Sequence, residues 1–189
     1  MNQNVKTCES SKILNGISFF GNTLELKKEK RISISALRIF LKEQYAISNY
    51  NLEEYVIDKE AVGIILNGKR IGYILVYKPF RYGLIVKPGD VFIDYAIEPK
   101  YRNKGIGKQA LKLFLELNVE EMFGASRIVA VIWEYNGASI NCALANGMER
   151  IISNGFENKK DELEILYLKF IFFYSIRQFL YVLMILFLE

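Results

Sequence analysis

Residues Tyr101 to Ala110 read Tyr-Arg-Asn-Lys-Gly-Ile-Gly-Lys-Gln-Ala, and they separate a strand-like run from a helix-like run. The run before them, Asp90 to Ile97, reads DVFIDYAI and is rich in β-branched and aromatic residues, as strands are. The run after them repeats its apolar residues at the spacing of one helical face: Ile106, Ala110, Leu113, Phe114 and Leu117. The quoted segment is therefore predicted to be the loop in which a strand gives way to a helix.

Two glycines and three basic residues make this loop a candidate phosphate site. Gly105 and Gly107 leave the backbone bare where the helix begins, and amides at a helix N-terminus are unsatisfied donors at the positive end of the helix dipole. Arg102, Lys104 and Lys108 add positive charge around the same point. The pattern predicts a cradle for a pyrophosphate. A helix that simply follows a glycine-rich turn is the alternative interpretation.

Two other phosphate motifs fit this chain less well. Residues 105–110 match the dinucleotide fingerprint G-x-G-x-x-A as a string, but that fingerprint needs its first glycine directly after the strand. Here residues 98–104 intervene, and no acidic residue ends a strand at the expected spacing. The Walker pattern G-x-x-x-x-G-K-[ST] is absent from the chain. The sequence therefore disfavours a nicotinamide-dependent dehydrogenase.

Two motifs, in the right order, resemble the signatures of the GNAT superfamily of N-acetyltransferases. The pattern R-x-x-G-x-G at 102–107, preceded by Glu98-Pro99 and followed by a helix, resembles the acetyl-CoA loop of that family. Further on, N-x-x-S at 136–139 followed by G-M at 147–148 resembles its second signature. The resemblance covers roughly Ile32 to Phe170, and it is closest to the branch that acetylates ribosomal-protein N-termini (RimJ/RimL-like).

The resemblance implies a fold, a cosubstrate and a set of site residues. The fold is of the α/β (α+β) class: a mixed, mostly antiparallel twisted sheet, splayed at its centre, with helices on both faces. The cosubstrate is acetyl-CoA, with no metal; its pyrophosphate lies on the loop amides and its pantetheine arm in the splayed sheet. For Asn136, a helix N-cap is the alternative role. The residues implied to hold the cosubstrate are Tyr95, Ala96, Ile97, Arg102, Asn103, Lys104, Gly105, Ile106, Gly107, Lys108, Asn136 and Ser139.

The periodicities along the chain indicate strands first, then two strand–helix crossings and a final strand pair, which is typical of a mixed sheet with helices on both faces. The predicted strands lie around Leu24, Leu26 and Ile32, and at Ala61–Asn67, Arg70–Tyr77, Asp90–Ile97, Arg127–Trp133, Met148–Phe156 and Leu163–Phe170. The predicted helices are Ser35–Tyr45, Leu52–Glu60 with Asn51 as N-cap, the helix that begins near Ile106, and Ala138–Asn146. Asn67-Gly68-Lys69 predicts a hairpin turn.

Composition predicts one globular domain of 189 residues, 51% hydrophobic and 24% charged. We divide the chain into a loose N-terminal segment with a first strand (1–30), an N-acetyltransferase domain (31–170) and an apolar C-terminal tail (171–189). A net charge of +4 without a dense basic run suits anionic ligands but not nucleic acid. Cys8 and Cys142 cannot form a disulfide framework, and the N-terminal residues lack the apolar core of a signal peptide, so we expect a cytoplasmic protein.

The absence of histidine limits the catalytic mechanisms and metal sites that this chain can have. It excludes Ser-His-Asp and Cys-His catalysis and any histidine-ligated metal, so protons must move through carboxylates, hydroxyls or the backbone. Asp94 is the first candidate base, because a charge in an otherwise apolar strand requires a reason. Glu134, just past a predicted central strand, is the second; Asp90 and Glu98, at strand ends, are weaker choices. A solvated or paired carboxylate is the alternative interpretation for all four.

One departure from the family pattern concerns the leaving thiolate. Many relatives carry a tyrosine one helical turn after the serine position, where this chain has Ala143. Either Ser139 or Tyr135 substitutes as the acid, or none is used, since a thiol of pKa about 8.5 leaves as thiolate at a cost of about 2 kcal/mol. The predicted function is acetyl transfer to a primary amine, of a small molecule or a peptide N-terminus. A non-catalytic acyl-CoA-binding module is the alternative.

The apolar tail, from Phe170 to Leu188, reads FIFFYSIRQFLYVLMILFL. It is long enough to span a bilayer core of about 30 Å, although Arg177 opposes insertion by about 3 kcal/mol near a helix centre. Three interpretations stay open: membrane contact, packing on the domain, and a homodimer interface.

Overall fold

The computed structural model describes residues 13–41, 51–79, 86–133, 135–151 and 164–170, with the backbone alone for residues 13, 133 and 164–170. The strands are β1 (Ile13–Phe19), β2 (Asn22–Glu29), β3 (Glu60–Leu66), β4 (Lys69–Tyr77), β5 (Asp90–Ile97), β6 (Arg127–Trp133), β7 (Glu149–Ile151) and β8 (Glu164–Phe170). The helices are α1 (Ile34–Leu41), α2 (Leu52–Tyr55), α3 (Ile106–Leu115), α4 (Val119–Phe123) and α5 (Gly137–Ala145), with a 3₁₀ turn at Pro99–Tyr101.

The strands form one eight-stranded sheet in the order β1-β2-β3-β4-β5-β6-β8-β7. Within the described part of the chain, β5 and β6 are the parallel pair, and the other neighbours are antiparallel. The β3–β4 hairpin turns at Asn67 and Gly68, whose φ angles are +49° and +77°, as a type I′ turn requires. The hairpin predicted from Asn-Gly is therefore confirmed.

Two apolar layers cover the two faces of this sheet. On one face, the strands pack against α3, α4 and the start of α5, with Leu24, Ile74, Ile93 and Phe114 at most 1% exposed. On the other face, α1 and α2 cover Tyr73 and Ala96. Because neighbouring positions of a strand point to opposite faces, Tyr73 and Ile74 serve different layers. The predicted mixed, mostly antiparallel sheet with helices on both faces is confirmed.

The parallel pair opens into a fork. β5 and β6 are paired at three positions, Asp90↔Arg127, Val91↔Ile128 and Phe92↔Val129. Beyond Phe92, β5 continues along β4 to Ile97, and β6 continues along β8 to Trp133, but the described strands no longer pair with each other. The central splay that the family resemblance implied is therefore present.

A buried ion pair closes the narrow end of this fork. Asp90 and Arg127 are 2% and 7% exposed, and Arg127 Nε donates to Asp90 Oδ1 at 2.6 Å. A second guanidinium nitrogen donates to Oδ2, and so does the Lys87 amide, at 2.7 Å. Asp90 is therefore fully engaged in holding the strand ends together, which accounts for a charge at this buried position.

Several boundaries differ from the sequence-based expectation. Residues 13–29, expected to be loose with a single strand, form the β1–β2 hairpin, and Ile32 lies outside any strand. The Asn51 cap is confirmed, with Oδ1 accepting the Glu54 amide at 3.4 Å, but α2 ends at Tyr55 because Asp58 takes a left-handed φ of +59° before β3. Helix α4 was not predicted, since its five residues are too few to show a period.

Some predictions lie outside the described residues. These concern Glu134, the looseness of residues 1–12, the end of the first predicted helix after Leu41, the strand ends between residues 152 and 163, and the tail from 171 to 189. Among the helices that the structure describes, none combines the length and apolarity needed to cross a bilayer.

Candidate active site

The loop between β5 and α3 owes its shape to two left-handed residues. After the 3₁₀ turn at Pro99–Tyr101, the Arg102 amide donates to the Pro99 carbonyl at 3.1 Å. Asn103 and Gly105 then take φ angles of +57° and +74°, a region that asparagine and glycine tolerate best. Gly105 is the N-cap of α3 and carries no side chain that could cap the helix. The chain therefore enters the helix with its first amides uncovered.

These amides are candidate donors to an anion. The first amide of α3 that donates to a carbonyl is that of Gln109, which reaches the Gly105 oxygen at 3.1 Å. For the amides of residues 103–108, no acceptor lies among the described residues. Unpaired donors at the start of a ten-residue helix attract negative charge because the helix dipole adds to them. The predicted phosphate cradle thus has the required donors.

The three basic residues of the loop have different roles. Arg102 points away from the amides: its Nε donates to the Ile97 carbonyl and its Nη2 to the Phe40 carbonyl, both at 2.9 Å. Its guanidinium therefore ties the loop to β5 and α1. Lys104 and Lys108 are exposed, so these two supply the mobile positive charge beside the cradle.

The edge of β5 beyond Phe92 turns backbone groups into the gap between β5 and β6, and one of them, the Ile97 carbonyl, accepts from Arg102 Nε. Successive residues of an antiparallel strand turn their N–H and C=O to opposite sides. The Glu98 amide donates to the Ile71 carbonyl of β4 at 2.8 Å, so Ala96 also faces β4. Tyr95 and Ile97 consequently face the fork. Of the three residues predicted to hold the pantetheine arm through their backbone, these two are in position and Ala96 is not.

Helix α5 forms the opposite wall of the fork. Asn136 caps it, with Oδ1 accepting the Ser139 amide at 3.1 Å, as the alternative interpretation of this residue held. Its Nδ2 has no acceptor among the described residues, so a cap and a ligand contact are compatible. At the other end of α5, Asn146 Nδ2 donates to the Lys108 and Cys142 carbonyls at 3.1 and 2.8 Å. This bond holds α5 against the start of α3.

A tyrosine hydroxyl bridges the two walls. Tyr95 Oη donates to the Ser139 carbonyl in the first turn of α5 at 2.9 Å. Ala143, at the position of the family's tyrosine, is fully buried, and Tyr135, a predicted substitute, is 67% exposed. From the sequence, only the backbone of Tyr95 was predicted to take part in the site. Strand alternation, which puts residue 95 on the same face as Ile93 and Ile97, was the signal for its side chain.

Cys142 lies beside the cradle but is not activated. Its Sγ lies 3.8 Å from where a Cβ on Gly107 would be. Burial raises the pKa of the Cys142 thiol, and the nearby Lys108 ammonium opposes that shift without reversing it. A thiol with a raised pKa is a poor nucleophile at neutral pH, which argues against a covalent mechanism.

Asp94 lies on the opposite face of β5, at the vertex of the fork. Its carboxylate accepts three bonds: from Tyr55 Oη at 2.6 Å, Lys59 Nζ at 2.8 Å and Tyr77 Oη at 3.3 Å. A carboxylate with three donors is suited to binding positive charge rather than to removing a proton. Asp94 was singled out from the sequence, but its partners were not, because they come from two segments distant in sequence, around α2 and at the end of β4, and share no local pattern.

Glu98 also has partners: Lys100 Nζ is 2.7 Å from its Oε1, and Lys69 Nζ is 3.8 Å from its Oε2. The hydrogen bond that Lys100 donates to Glu98 raises the pKa of the Lys100 ammonium. Glu98 therefore acts as a partner of surface lysines at the end of β5.

Comparisons with known proteins agree with this geometry. The chain shares its fold with RimL, ribosomal L7/L12 alpha-N-protein acetyltransferase, in complex with coenzyme A, at 16% identity and a TM-score of 0.61 over 85% of this chain and 98% of that one. It also resembles an acetyltransferase of the GNAT family from Bacillus anthracis, at 20% identity and a TM-score of 0.56 over 83% and 96% of the two chains.

A third structure, AAC(6')-Ib in complex with paromomycin and acetyl-CoA, matches at 18% identity and a TM-score of 0.58 over 78% of this chain and 93% of that one. No curated protein matches the sequence significantly. The family comparison is decisive by its extent, because residues 31–148 match the model of the Acetyltransferase (GNAT) family. The chain therefore belongs to the GNAT family of acetyltransferases.

Proposed function

We propose that this protein is an acetyl-CoA-dependent N-acetyltransferase that transfers the acetyl group directly to a primary amine in a ternary complex. The observation that carries this proposal is the combination of uncovered amides at residues 103–108 with the open β5 edge next to them. The loop amides can donate to a pyrophosphate, and the β5 edge can pair with the amides of an extended arm. Family membership supports the same function.

The residues of the fork fit coenzyme A. The loop amides, with Lys104 and Lys108, hold the pyrophosphate. The N–H of Ile97, the residue whose carbonyl is held by Arg102, faces the pantetheine arm from the edge of β5. The Asn136 Nδ2 donates to the arm from the opposite wall. Bound there, acetyl-CoA supplies the acetyl thioester. One fork-facing amide of β5 polarises the thioester carbonyl.

We place the acceptor on the face of Asp94, where α1 and α2 pack, because α3 and α5 flank the proposed cosubstrate site on the other face. Its nitrogen must be neutral to attack. An α-amine of pKa about 8 loses its proton at pH 7 for about 1 kcal/mol, whereas a lysine-like amine of pKa about 10.4 requires about 4–5 kcal/mol. Since the donors on Asp94 favour binding over proton removal, we expect an acceptor whose reacting amine has a lowered pKa.

The Tyr95 hydroxyl is the group we assign to the leaving sulfur. The acceptor nitrogen forms a bond to the acetyl carbon. As it does so, the carbon–sulfur bond breaks, and the electron pair of that bond moves to sulfur. Tyr95 gives its proton to that sulfur and regains one from water, and the amine loses its surplus proton to solvent. The bond from Tyr95 Oη to the Ser139 carbonyl supports this assignment, because it holds the phenol between the fork walls. Ser139 and Tyr135 are the alternative acids.

A non-catalytic acyl-CoA-binding module is the second candidate. It is favoured by Ala143, which is fully buried where many relatives carry the acid. Thiol release by the full chain with acetyl-CoA and a panel of amines (peptide N-termini, aliphatic amines, aminoglycosides) separates the two. We expect thiol release with a matching mass increase of one acceptor class. Binding of acetyl-CoA without thiol release on any acceptor would favour the module.

A further inference from the structure

The Lys59 ammonium lies inside a cage of two aromatic rings and a carboxylate. Its Nζ is 3.7 Å from the ring centroid of Tyr55, 3.9 Å from that of Tyr77 and 2.8 Å from Asp94 Oδ2. The side chains of Lys59 and Asp94 are only 11% and 22% exposed, so solvent screens these attractions weakly. The cage is therefore a preformed ammonium-binding site that holds a side chain of its own chain.

The cage lies where an acceptor must arrive. Asp94 comes two positions after Phe92, the last residue of β5 paired with β6, so it stands at the vertex of the fork. Its side chain points to the face opposite α3 and α5, since Ala96, on the same side of β5, packs against α1 and α2. An acceptor that reaches the fork from that face meets the cage next to the reacting centre.

Lys59 has room and partners for an exchange. It borders a cavity of about 560 Å³, which three exposed carboxylates also line: Glu54, Asp58 and Glu60. Its flexible stem lets the ammonium move from Asp94 to Glu54 or Asp58. Glu60, by contrast, is already paired with Lys28. Replacing one caged ammonium by another leaves Asp94 paired throughout, whereas removing the cation would leave a largely buried charge uncompensated.

We propose that the cage binds an ammonium group of the acceptor, which displaces Lys59. Because an amine held in the cage stays protonated and cannot attack, the amine that is acetylated must be a second one on the same molecule. The acceptor class is therefore a small diamine or polyamine, in which the caged ammonium lowers the pKa of the nearby second amine, as the proposed function requires. This inference rests on the transferase function proposed above and specifies its substrate.

The first test compares diamines with monoamines of matched length on the wild-type chain. We expect kcat/KM for one member of a series from 1,3-diaminopropane to 1,6-diaminohexane to exceed that for the matching n-alkylamine by about tenfold, which is the range of a cation held by two rings and a carboxylate. Equal values for diamines and monoamines across the series would overturn the proposal. This comparison requires no variant, so it decides even where a substitution prevents folding.

The second test vacates the cage. Lys59→Ala should lower KM for the preferred diamine about fivefold without changing kcat, because the acceptor no longer competes with Lys59. The kcat/KM for n-butylamine should not rise, because its one amine stays protonated when it occupies the vacated cage and no second amine is present to attack. Lys28→Ala is the matched control: its ammonium pairs with Glu60 at 2.7 Å beside the same cavity but outside the cage, and its loss should not alter either KM. An unchanged KM for diamines in Lys59→Ala would contradict the proposal.

A third measurement is independent of acetyl transfer. n-Butylammonium chloride should raise the Tm of Lys59→Ala saturably, whereas n-butanol should not, and adding Asp94→Asn to Lys59→Ala should abolish the effect. No stabilisation of Lys59→Ala by n-butylammonium would overturn the cage as a cation site. Stabilisation together with no acetylation of any amine by the wild type would instead refute the transferase function and leave the cation site standing.

Discussion

The two ends of the β5–β6 fork belong to the same two strands and behave in opposite ways. At the closed end, Asp90 and Arg127 are buried and bonded to each other, and three residue pairs join the strands. At the open end, Tyr95 and Ile97 turn backbone groups into a gap, and α5 supplies the facing wall. The closed end has its polar groups satisfied within the chain, whereas the loop beside the open end has amides, at residues 103–108, with no acceptor among the described residues.

The difference teaches how a sheet can hold a binding site at its centre. A parted pair of strands exposes backbone groups that would be costly if they stayed dry and unpaired. The pairing at the closed end fixes how β5 and β6 diverge, so no ligand is needed to keep the two strands apart at the open end. We therefore expect substitutions at the closed end to alter stability, and those at the open end to alter binding and rate.

The largest expected effect comes from breaking the closed end. Arg127→Met leaves the Asp90 carboxylate buried without its cation, and we expect a loss of about 3–5 kcal/mol in the free energy of unfolding, measured with denaturant. The double variant Asp90→Leu/Arg127→Met, which removes both charges, should recover much of that loss. A loss below about 1 kcal/mol in Arg127→Met, the range of an exposed pair, would contradict the role assigned to this end.

The next effect falls on the open end, at the cradle. Gly107→Glu puts a carboxylate at the start of α3 and should weaken coenzyme A binding about 100-fold, measured by calorimetry, because it replaces attraction for the pyrophosphate by repulsion. Gly107→Ala is the size control: its Cβ would meet Ile97 Cδ1 at 3.4 Å, an ordinary contact, so affinity should change little.

Lys104→Glu provides the charge control for the same prediction. Lys104 is exposed, so its replacement reverses a charge beside the cradle without a packing change. We expect a smaller loss of coenzyme A affinity than in Gly107→Glu. Unchanged affinity in both Gly107→Glu and Lys104→Glu would mean that the phosphates lie elsewhere.

The smallest expected effect is on kcat, through protonation of the leaving sulfur between β5 and α5. Tyr95→Phe removes the hydroxyl that bonds the Ser139 carbonyl, and kcat should fall about tenfold, within the roughly 2 kcal/mol that thiolate departure costs without an acid. A general acid must carry its proton, so we expect the wild-type kcat to decline at alkaline pH and Tyr95→Phe to lack this decline, while coenzyme A affinity stays near the wild-type value. A larger drop in kcat for Tyr135→Phe or Ser139→Ala than for Tyr95→Phe would move the acid role to that residue.

The sequence predicted the fold well where the signal is local. The β5 and β6 boundaries are as predicted, because continuous apolar runs of strand length mark buried strands. The loop was also predictable, since two glycines before an apolar helical face are recognisable without knowing the rest of the chain. The β1 strand was missed because Asn15 and Gly16 interrupt its pattern, and what stabilises it is pairing with β2.

The site was predictable only in part, for the same reason. Which of three consecutive backbone residues faces the fork depends on the register with β4, and no property of Ala96 itself reveals that it points away. Likewise, Arg102 was assigned to the phosphates because nothing in its local sequence shows that its guanidinium reaches the Phe40 carbonyl in α1, a helix distant in sequence. The partner of the Tyr95 hydroxyl, the Ser139 carbonyl, was not predictable because it depends on how α5 lies against β5.

By itself, the sequence indicated the family, the position of the strand-to-helix loop with its two glycines and the absence of histidine chemistry, since each depends on residue types within short segments. The tertiary structure decided where the sheet parts, which edge groups face the gap and what surrounds Asp94. Tyr55, Lys59 and Tyr77 lie on the segments around α2 and β4, and only the packing of α2 on the sheet brings them to the one carboxylate. Interactions between distant segments depend on register and packing, which local residue patterns do not encode.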